Sequence, residues 1–469
     1  MTRRTPLARK LGVWVCAAVM AALFGLPQQA AAQAQFTEES STLPDGTEYR
    51  IRVPANWNRV LIRDFDYAAA DDNYPGANDN ARSLYLLKQG YALSGTKRHA
   101  LRRFRYDPAR EIANLDRVLD LFEARFGRPD RVIQYGCSGG GHMGLAIAED
   151  FSDRVDGVIA TGAHTPVWIM NTYLDGWFAL KALIAQDLDI ANLPPDFPSE
   201  IGNQLTGTTP TTWRRAIDAA QQTPEGRARI ALAFTVGQWP AWVNNLTPQP
   251  NLEDVAALQH SMYHSAYQMA ENPGGTARVM FENAADGKQM SWNTGVDYRE
   301  LFENGNEFFK RAVRRLYVEA GLDLEADLRR INEFPRIEAS DYALEFWNAP
   351  GRNVRGDPKI PMLRMHEIGD PSVPVSLVQG YEAQMRAHGK EELFRAAFVN
   401  APGHCNFRVA ESAAAIEIMM RRLDTGKWER TDPDELNKLA ESLGTGTTPR
   451  FTSIDRFKQV KYNRVWAPE

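Results

Sequence analysis

The chain has 469 residues, of which 43% are hydrophobic, and this is enough for a substantial core in one large domain or two medium ones. It carries 54 Lys and Arg residues against 59 Asp and Glu residues, a formal net charge of −5. This balance argues against a nucleic-acid or anionic-membrane partner, because such partners are bound through clusters of basic residues.

The first residues follow the order of a secretory signal peptide. Basic residues precede an apolar run from Leu11 to Leu26, and small residues follow from Ala30 to Ala34. We predict a cleavable signal at residues 1–32 and a secreted or periplasmic mature protein with no membrane association. The alternative is an N-terminal membrane anchor, for which the apolar run is short. The basic residues are Arg3, Arg4, Arg9 and Lys10.

Short β-branched or aromatic runs then alternate with helical patterns, which predicts a mostly parallel sheet flanked by helices. The alternation stops after about His164 and resumes near Lys359. We therefore predict core segments at 35–164 and 356–428 and a large helical cap at 165–355. The runs are Val60–Ile62, Tyr91–Leu93, Arg131–Tyr135, Gly157–Ala160, Pro361–His366 and Arg395–Val399.

Two segments outside the core pattern have less specific features. The cap holds seven of the eleven tryptophans, which either fill its core or line a pocket for an aromatic or extended apolar ligand. Residues 429–469 form a polar extension with one helical pattern, Pro433–Leu443, and no predicted function. The seven are Trp168, Trp177, Trp213, Trp239, Trp242, Trp292 and Trp347.

The stretch Gly136-Cys137-Ser138-Gly139-Gly140 matches G-x-S-x-G, with a predicted strand before it and a helical pattern after it. In that context the motif is typical of the nucleophile elbow of an α/β-hydrolase fold, where a tight turn exposes one serine hydroxyl. The alternative is a glycine-rich turn without catalytic importance. We predict Ser138 as a catalytic nucleophile.

A serine nucleophile needs a base and an orienting acid, which in this fold follow in the order Ser, Asp or Glu, His. Among the eight histidines, His404 follows the predicted strand Arg395–Val399 in a loop. Asp370 follows the preceding strand, and Glu367 is the nearby substitute. We predict His404 as the base and Asp370 as the acid.

Two cysteines remain beyond the predicted signal, and each adjoins a predicted catalytic residue. Cys137 precedes Ser138, and Cys405 follows His404. If Ser138 and His404 are hydrogen-bonded, the two sulfurs lie close together, so we predict a disulfide in an oxidising compartment. The alternative is a pair of free buried thiols.

The Cys-Ser pair, the Gly369-Asp370 pair and the Gly403-His404-Cys405 sequence resemble the signature of the tannase and feruloyl esterase family of α/β-hydrolases. This resemblance implies hydrolysis of aromatic-acid esters, with the cap helping to form the pocket. The calcium loop common in that family's caps is not matched by Asp187–Asn192, which lacks its glycines. We therefore predict no metal and no cofactor.

An oxyanion hole requires two N–H donors near the nucleophile. Gly139 supplies the first by its position, and Asp66 or Tyr67, after the strand Val60–Ile62, is the positional choice for the second. Further pocket candidates, which are equally compatible with solvated surface, are Asn73, Tyr74, Asp79, Lys97 and Arg98.

These residues predict a secreted serine hydrolase that cleaves carboxylic esters through a Ser138–His404–Asp370 triad and an acyl-enzyme. The expected substrate is a small-molecule or oligomeric ester. The motif is shared by amidases and peptidases of the same fold, so amide cleavage is the first alternative. A binding protein with a vestigial site is the second.

Overall fold

The computed structural model describes residues 36–69, 80–99, 106–191, 212–271 and 278–458. Its nine described strands form one sheet in the order β1-β2-β4-β3-β5-β6-β7-β8-β9. These strands are β1 Phe36–Thr42, β2 Glu48–Pro54, β3 Val60–Asp64, β4 Ala92–Thr96, β5 Arg131–Cys137, β6 Gly157–Thr161, β7 Met362–Gly369, β8 Phe394–Pro402 and β9 Phe451–Thr452.

Strands β3 to β8 run parallel, whereas β1, β2 and β9 pair antiparallel at the two sides of this parallel block. This order and direction are those of the α/β-hydrolase fold, so the predicted fold class is confirmed. Parallel strands place their carboxyl ends at one edge of the sheet, where loops carry the functional side chains. The loops after β3, β4, β5, β6, β7 and β8 therefore share that edge.

Alternating side chains of the strands serve two separate hydrophobic clusters, one on each face of the sheet. In β3, Leu61 belongs to the first cluster, while Val60 and Ile62 belong to the second. This follows from the two-residue period of a strand. All five residues of β3 are buried, which explains why the parallel strands appear in the sequence as continuous apolar runs.

Helices cover both faces of the sheet. Helix α1 (Asn80–Lys88) and helix α14 (Val409–Thr425) contact each other and lie over the second cluster, and α2 (Pro108–Phe126) and α3 (Gly139–Asp150) lie over the first. The Asp107 side chain caps α2 by accepting a hydrogen bond from the Ala109 amide at 3.2 Å. The apolar residues of this helix recur at helical spacing and form its buried face, namely Ile112, Leu115, Val118, Leu119 and Phe122.

Every element that the structure describes between β6 and β7 is an α-helix. Helix α6 is the centre of this group and contacts α4, α5, α7, α9 and α10. The helices are α4 Pro166–Ile184, α5 Thr212–Gln221, α6 Pro224–Val236, α7 Val255–Glu271, α8 Arg278–Ala284, α9 Tyr298–Glu303, α10 Glu307–Glu319, α11 Leu324–Glu333 and α12 Asp341–Asn348. Within the described ranges, none of the helices is long and apolar enough to cross a bilayer.

The cap tryptophans are mostly core residues. Trp239 and Trp347 have no exposed surface, and Trp168, Trp213 and Trp292 are buried as well. Trp239 packs against Gly176 of α4, where an added Cβ would lie 2.2 Å from the indole ring. Only Trp177 and Trp242 are half-buried. These contacts favour the structural role for most of the seven.

The polar C-terminal segment packs against the core. Helix α13 (Ser376–Ala387) connects β7 to β8, and α15 (Pro433–Ser442) contacts α14. Strand β9 then pairs with β8 through Phe398 and Val399. The segment up to residue 458 therefore extends the sheet rather than forming a separate tail.

Candidate active site

Ser138 lies at a sharp turn between β5 and α3. Its backbone has φ 58° and ψ −119°, in the region that non-glycine residues rarely adopt. The turn is held by two backbone hydrogen bonds, from the Ser138 amide to the Thr161 carbonyl at 3.0 Å and from the His142 amide to the Ser138 carbonyl at 2.9 Å. This is the strand–turn–helix geometry that a nucleophile elbow requires.

The glycines around Ser138 are required by close packing. A Cβ on Gly136 would lie 2.6 Å from the carbonyl carbon and oxygen of Gly140. A Cβ on Gly141 would lie 2.7 Å from the Ala163 Cβ. Only residues without side chains at 136 and 141 let helix α3 start this close to β5 and to the loop after β6.

Asp370 and His404 are joined at the carboxyl ends of β7 and β8. His404 Nδ1 donates a hydrogen bond to Asp370 Oδ2 at 2.7 Å. Asp370 Oδ1 accepts two more, from the Ser372 amide at 2.8 Å and the Val373 amide at 2.9 Å. Asp370 is fully buried, and the His404 side chain is 15% exposed. The carboxylate is thus fixed by the loop, and its free oxygen orients the imidazole.

The loop after β6 brings the serine side and the histidine side of the site together. A Cβ on Gly162 would lie 3.2 Å from Cys137 Sγ and 3.5 Å from both Asp370 Oδ2 and His404 Cε1. Cys137 and Cys405 form a disulfide with a Cα–Cα distance of 6.0 Å across 268 residues of sequence. The predicted bridge is present, and it links the serine turn to the histidine loop.

The Ser138 hydroxyl makes no hydrogen bond to His404 within the described part of the chain. In hydrolases without substrate this contact is commonly long and closes in the Michaelis complex. Ser138 and His404 each adjoin a cysteine of the disulfide, so they lie at the same edge of the sheet, where the Asp370–His404 pair is already formed.

Glu367, the substitute acid considered from the sequence, has a different position. It is fully buried in β7, and its Oε1 accepts a hydrogen bond from the Asn406 amide at 2.5 Å. Burial and the charge of Asp370 raise its pKa well above the usual range. Glu367 thus anchors the backbone next to Cys405, and its burial favours the neutral carboxyl, while Asp370 holds His404.

His366 contacts the loop that follows β7 and carries Asp370. Its Nε2 donates to the Val373 carbonyl at 2.7 Å and lies 3.9 Å from Asp370 Oδ2. Burial lowers the pKa of His366 to about 4, so the ring is neutral at physiological pH. His366 is therefore a structural residue that holds this loop next to the strand.

The described part of the cap contacts the loop that carries Asp370. The Tyr173 hydroxyl of α4 donates to the Ser372 carbonyl, and the Trp242 carbonyl presses on Gly369, where a Cβ would lie 2.1 Å from it. Sequence reasoning did not single out Tyr173, because nothing in a helical pattern shows which tyrosine reaches another loop.

The structure does not support the prediction that the Asp66 or Tyr67 amide is the second donor of the oxyanion hole. The Asp66 amide donates to Asp64 Oδ1 at 3.2 Å, and the Tyr67 amide donates to the Asp64 carbonyl at 3.2 Å. The Tyr67 side chain belongs to the second hydrophobic cluster. Since both amides already have acceptors, neither is available to an oxyanion, and Gly139 remains the single donor assigned by position.

Asp66 has another partner near the serine turn. Its carboxylate forms a two-bond ion pair with Arg98, at 2.5 and 2.7 Å, and its Oδ2 lies 3.8 Å from the Cβ position of Gly140. Of the other pocket candidates, Lys97 pairs with Glu48 at 3.5 Å near the surface. Asn73, Tyr74 and Asp79 lie outside the described residues, as does the predicted signal.

Two further histidines lie next to this site. His142 and His164 are buried, with ring centroids 5.5 Å apart. Burial lowers the pKa of His142 to about 3 and the pKa of His164 well below its usual value. Within the described ranges, no group of three or more His, Cys, Asp or Glu side chains is placed to hold a metal ion.

The fold and this arrangement of side chains define a hydrolase of the α/β-hydrolase superfamily. The chain is 54% identical over 446 residues to the o-phthalyl amidase of Xanthobacter agilis, and the match covers 92% of this chain and 98% of that protein. It therefore belongs to the family of that amidase. No family model matches the chain.

Two solved structures with more distant similarity are also hydrolases. Feruloyl esterase B of Aspergillus oryzae is 15% identical, with 88% of this chain and 82% of that chain covered and a TM-score of 0.41. An esterase of Pyrococcus furiosus is 10% identical, with 84% and 92% covered and a TM-score of 0.36. At these values neither structure supports any statement about substrate.

Proposed function

We propose that this protein is a serine amidase that removes an aromatic acyl group of the phthalyl type from an amine. The observation that carries the proposal is the buried Asp370–His404 hydrogen bond beside the strained Ser138 turn. The relative named an o-phthalyl amidase supports the choice of acyl group.

In the proposed reaction, His404 Nε2 takes the proton of Ser138 Oγ as that oxygen attacks the amide carbonyl. Asp370 accepts the hydrogen bond from Nδ1 and stabilises the imidazolium that forms. The Gly139 amide donates to the oxyanion of the tetrahedral intermediate. The intermediate then collapses, and the C–N bond breaks as His404 gives its proton to the leaving nitrogen. The free amine departs, and an acyl-enzyme remains on Ser138.

The second half of the reaction repeats these steps with water. His404 takes a proton from the water as its oxygen attacks the acyl carbonyl, and the C–O bond to Ser138 breaks. The Ser138 oxygen recovers the proton from His404, and the aromatic acid leaves. Each cycle therefore consumes one water and returns the free serine, with no cofactor in any step.

The same steps apply to esters, which were the leading prediction from the sequence. An alcohol leaves more readily than an amine, so we propose that aryl esters of the same acid are also substrates. The resemblance to tannases and feruloyl esterases supports an aromatic acyl group. It does not distinguish an ester from an amide, whereas the relative's name favours the amide.

The test uses purified protein and three substrates. Two are an amide and an ester of 2-carboxybenzoic acid, and the third is an amide of the same amine with an N-acetyl amino acid. We expect hydrolysis of the phthalyl amide and ester and little hydrolysis of the peptide-like amide. Ser138→Ala should lose this activity and its labelling by a fluorophosphonate, while the exposed Ser442→Ala keeps both. Preference for the peptide-like amide would favour a peptidase, and absence of labelling in the parent protein would favour a binding protein.

Export from the cytoplasm is a separate proposal. The disulfide is stable in an oxidising compartment, and residues 1–32 have the composition of a signal peptide. N-terminal sequencing of the protein from its native cells should show a chain that begins close to residue 33. A chain that retains its basic first residues would contradict this proposal.

A further inference from the structure

Two buried histidines near Ser138, His142 and His164, have ring nitrogens that the proposed reaction does not use and that have no hydrogen-bond partner among the described residues. His142 has no exposed surface, which leaves His164 as the candidate for a ligand contact. His164 follows β6, is only 4% exposed, and its Nδ1 has no hydrogen-bond partner among the described residues. A buried polar atom without a partner costs free energy unless a ligand or water supplies one. Such an atom beside a catalytic serine indicates a group that contacts substrate.

The position of His164 follows from its neighbours in the chain. Gly162, two residues earlier, packs against Asp370 and His404, and Ala163 packs against Gly141 of the serine turn. The His164 ring centroid lies 5.4 Å from that of Phe281. The imidazole thus lies between the catalytic residues and an aromatic side chain of the cap.

The charges around His164 are mostly positive. Arg98 and Arg364 act on it electrostatically and disfavour its protonation, and Arg364 donates to the carbonyl of the neighbouring Ala163 at 2.6 Å. The two nearby carboxylates are already bound, Asp66 by Arg98 and Asp370 by His404 and two amides. An additional anion is therefore attracted to this position.

The phthalyl group supplies such an anion at a fixed place. It is an acyl group of benzene-1,2-dicarboxylic acid, so a second carboxylate remains on the ring carbon next to the one that carries the scissile carbonyl. A group that binds this carboxylate must lie close to Ser138 rather than deep in the cap. His164 meets this requirement.

We propose that His164 is the specificity-determining residue that binds the ortho carboxylate of the acyl group, within the positive field of Arg364. The inference rests on the proposed function, since it names the part of the phthalyl group that this site recognises. The N–H of the neutral imidazole donates to the carboxylate, and the ring contact with buried Phe281 holds the imidazole in place.

The experiment measures kcat/KM for the 2-carboxybenzoyl and the benzoyl anilide with the parent protein, His164→Ala and His164→Gln. Loss of a hydrogen bond to a charged group predicts that the ratio of the two values falls ~10- to 100-fold in His164→Ala, mainly through KM. His164→Gln keeps an N–H donor and should retain more of the preference. His142→Gln is the matched control, because that buried ring lies 5.5 Å from His164.

A binding measurement separates this inference from the proposed reaction. Calorimetry with phthalate, isophthalate and benzoate on Ser138→Ala protein should show a preference for phthalate that His164→Ala removes. If phthalate binding depends on His164 but no anilide is cleaved, the site stands and the proposed amidase reaction fails. If the preference survives in His164→Ala, or if isophthalate binds equally well, the inference is overturned.

Discussion

At the scale of single residues, Asp370 does more than complete the charge of the site. Its two oxygens have separate tasks, since Oδ1 accepts the Ser372 and Val373 amides and Oδ2 accepts His404 Nδ1. The backbone amides fix the carboxyl group, so that the remaining oxygen determines which imidazole nitrogen carries the proton. Nε2 is then left without a proton and can accept one from Ser138.

Replacing Asp370 with Asn tests this division. The amide oxygen can still accept from the loop, but an NH₂ group then faces His404 Nδ1 and favours the tautomer protonated at Nε2. We expect kcat to fall about 10³- to 10⁴-fold with little change in thermal stability. The exposed Asp153→Asn variant is the control, and a kcat near that of the parent protein would contradict the role of Asp370.

The buried Glu367 leads to a second prediction at the residue scale, on how the free energy of unfolding depends on pH. Its folded pKa is raised, whereas an unfolded Glu has a pKa of about 4.3. The folded protein therefore binds more protons than the unfolded chain above that pH, and ionisation of Glu367 lowers the free energy of unfolding as pH rises. Glu367→Gln keeps an acceptor for the Asn406 amide and removes this cost.

The variant should equal the parent in stability near pH 4 and exceed it increasingly at higher pH. Urea unfolding between pH 4 and pH 8 provides the measurement. Glu391→Gln, at an exposed position, should show no such divergence. A stability difference that does not change with pH would mean that Glu367 is charged in the folded protein.

At the scale of elements, the junction of β5 and α3 depends on one contact between two glycines. A Cβ at Gly136 would meet backbone atoms of Gly140 at 2.6 Å, and backbone cannot move aside as a flexible side chain can. A Cβ at Gly140 would meet the Phe65 Cβ at 3.3 Å, a contact that a small shift relieves. The two positions therefore differ, although both belong to the G-x-S-x-G motif.

Gly136→Ala should destabilise the protein by about 1–3 kcal/mol and lower kcat, because the elbow must open to admit the methyl group. Gly140→Ala should cost less in both measurements. Thermal unfolding and anilide hydrolysis on the two variants provide the comparison. Equal losses at both positions would show that the backbone contact at Gly136 is not the limiting one.

At the scale of the whole molecule, the disulfide joins parts of the chain that are separated by 268 residues and by the helical cap. A cross-link over so long a loop restricts the unfolded chain strongly, and here it also connects the serine turn to the histidine loop. We therefore expect the disulfide both to stabilise the folded protein and to keep the serine turn and the histidine loop in position.

Replacing both Cys137 and Cys405 with Ala should lower the free energy of unfolding by ~2–5 kcal/mol and reduce kcat. Reduction of the parent protein by dithiothreitol should reproduce the loss, and the same treatment should not affect the double variant. Full activity in the double variant at a temperature where it stays folded would limit the disulfide to a stabilising role.

The sequence by itself determined the elements whose signals are local. Buried parallel strands appear as short apolar runs, and the elbow requires glycines at fixed spacing around Ser138. The order of Ser138, Asp370 and His404 followed from the loops after successive strands. The position of Asp66 and Tyr67 after a strand suggested an oxyanion donor that the structure does not support. The end of a strand does not show that the amides beyond it already have acceptors.

Only the tertiary structure decided which distant groups share an environment. His164, Glu367 and Tyr173 are unremarkable in the chain, and their surroundings come from segments tens to hundreds of residues away. Burial and neighbouring charge determine whether such a group is charged, and neither is a property of local sequence. The fold and the predicted nucleophile can thus be inferred from periodicity and spacing, whereas the buried groups around that nucleophile require coordinates.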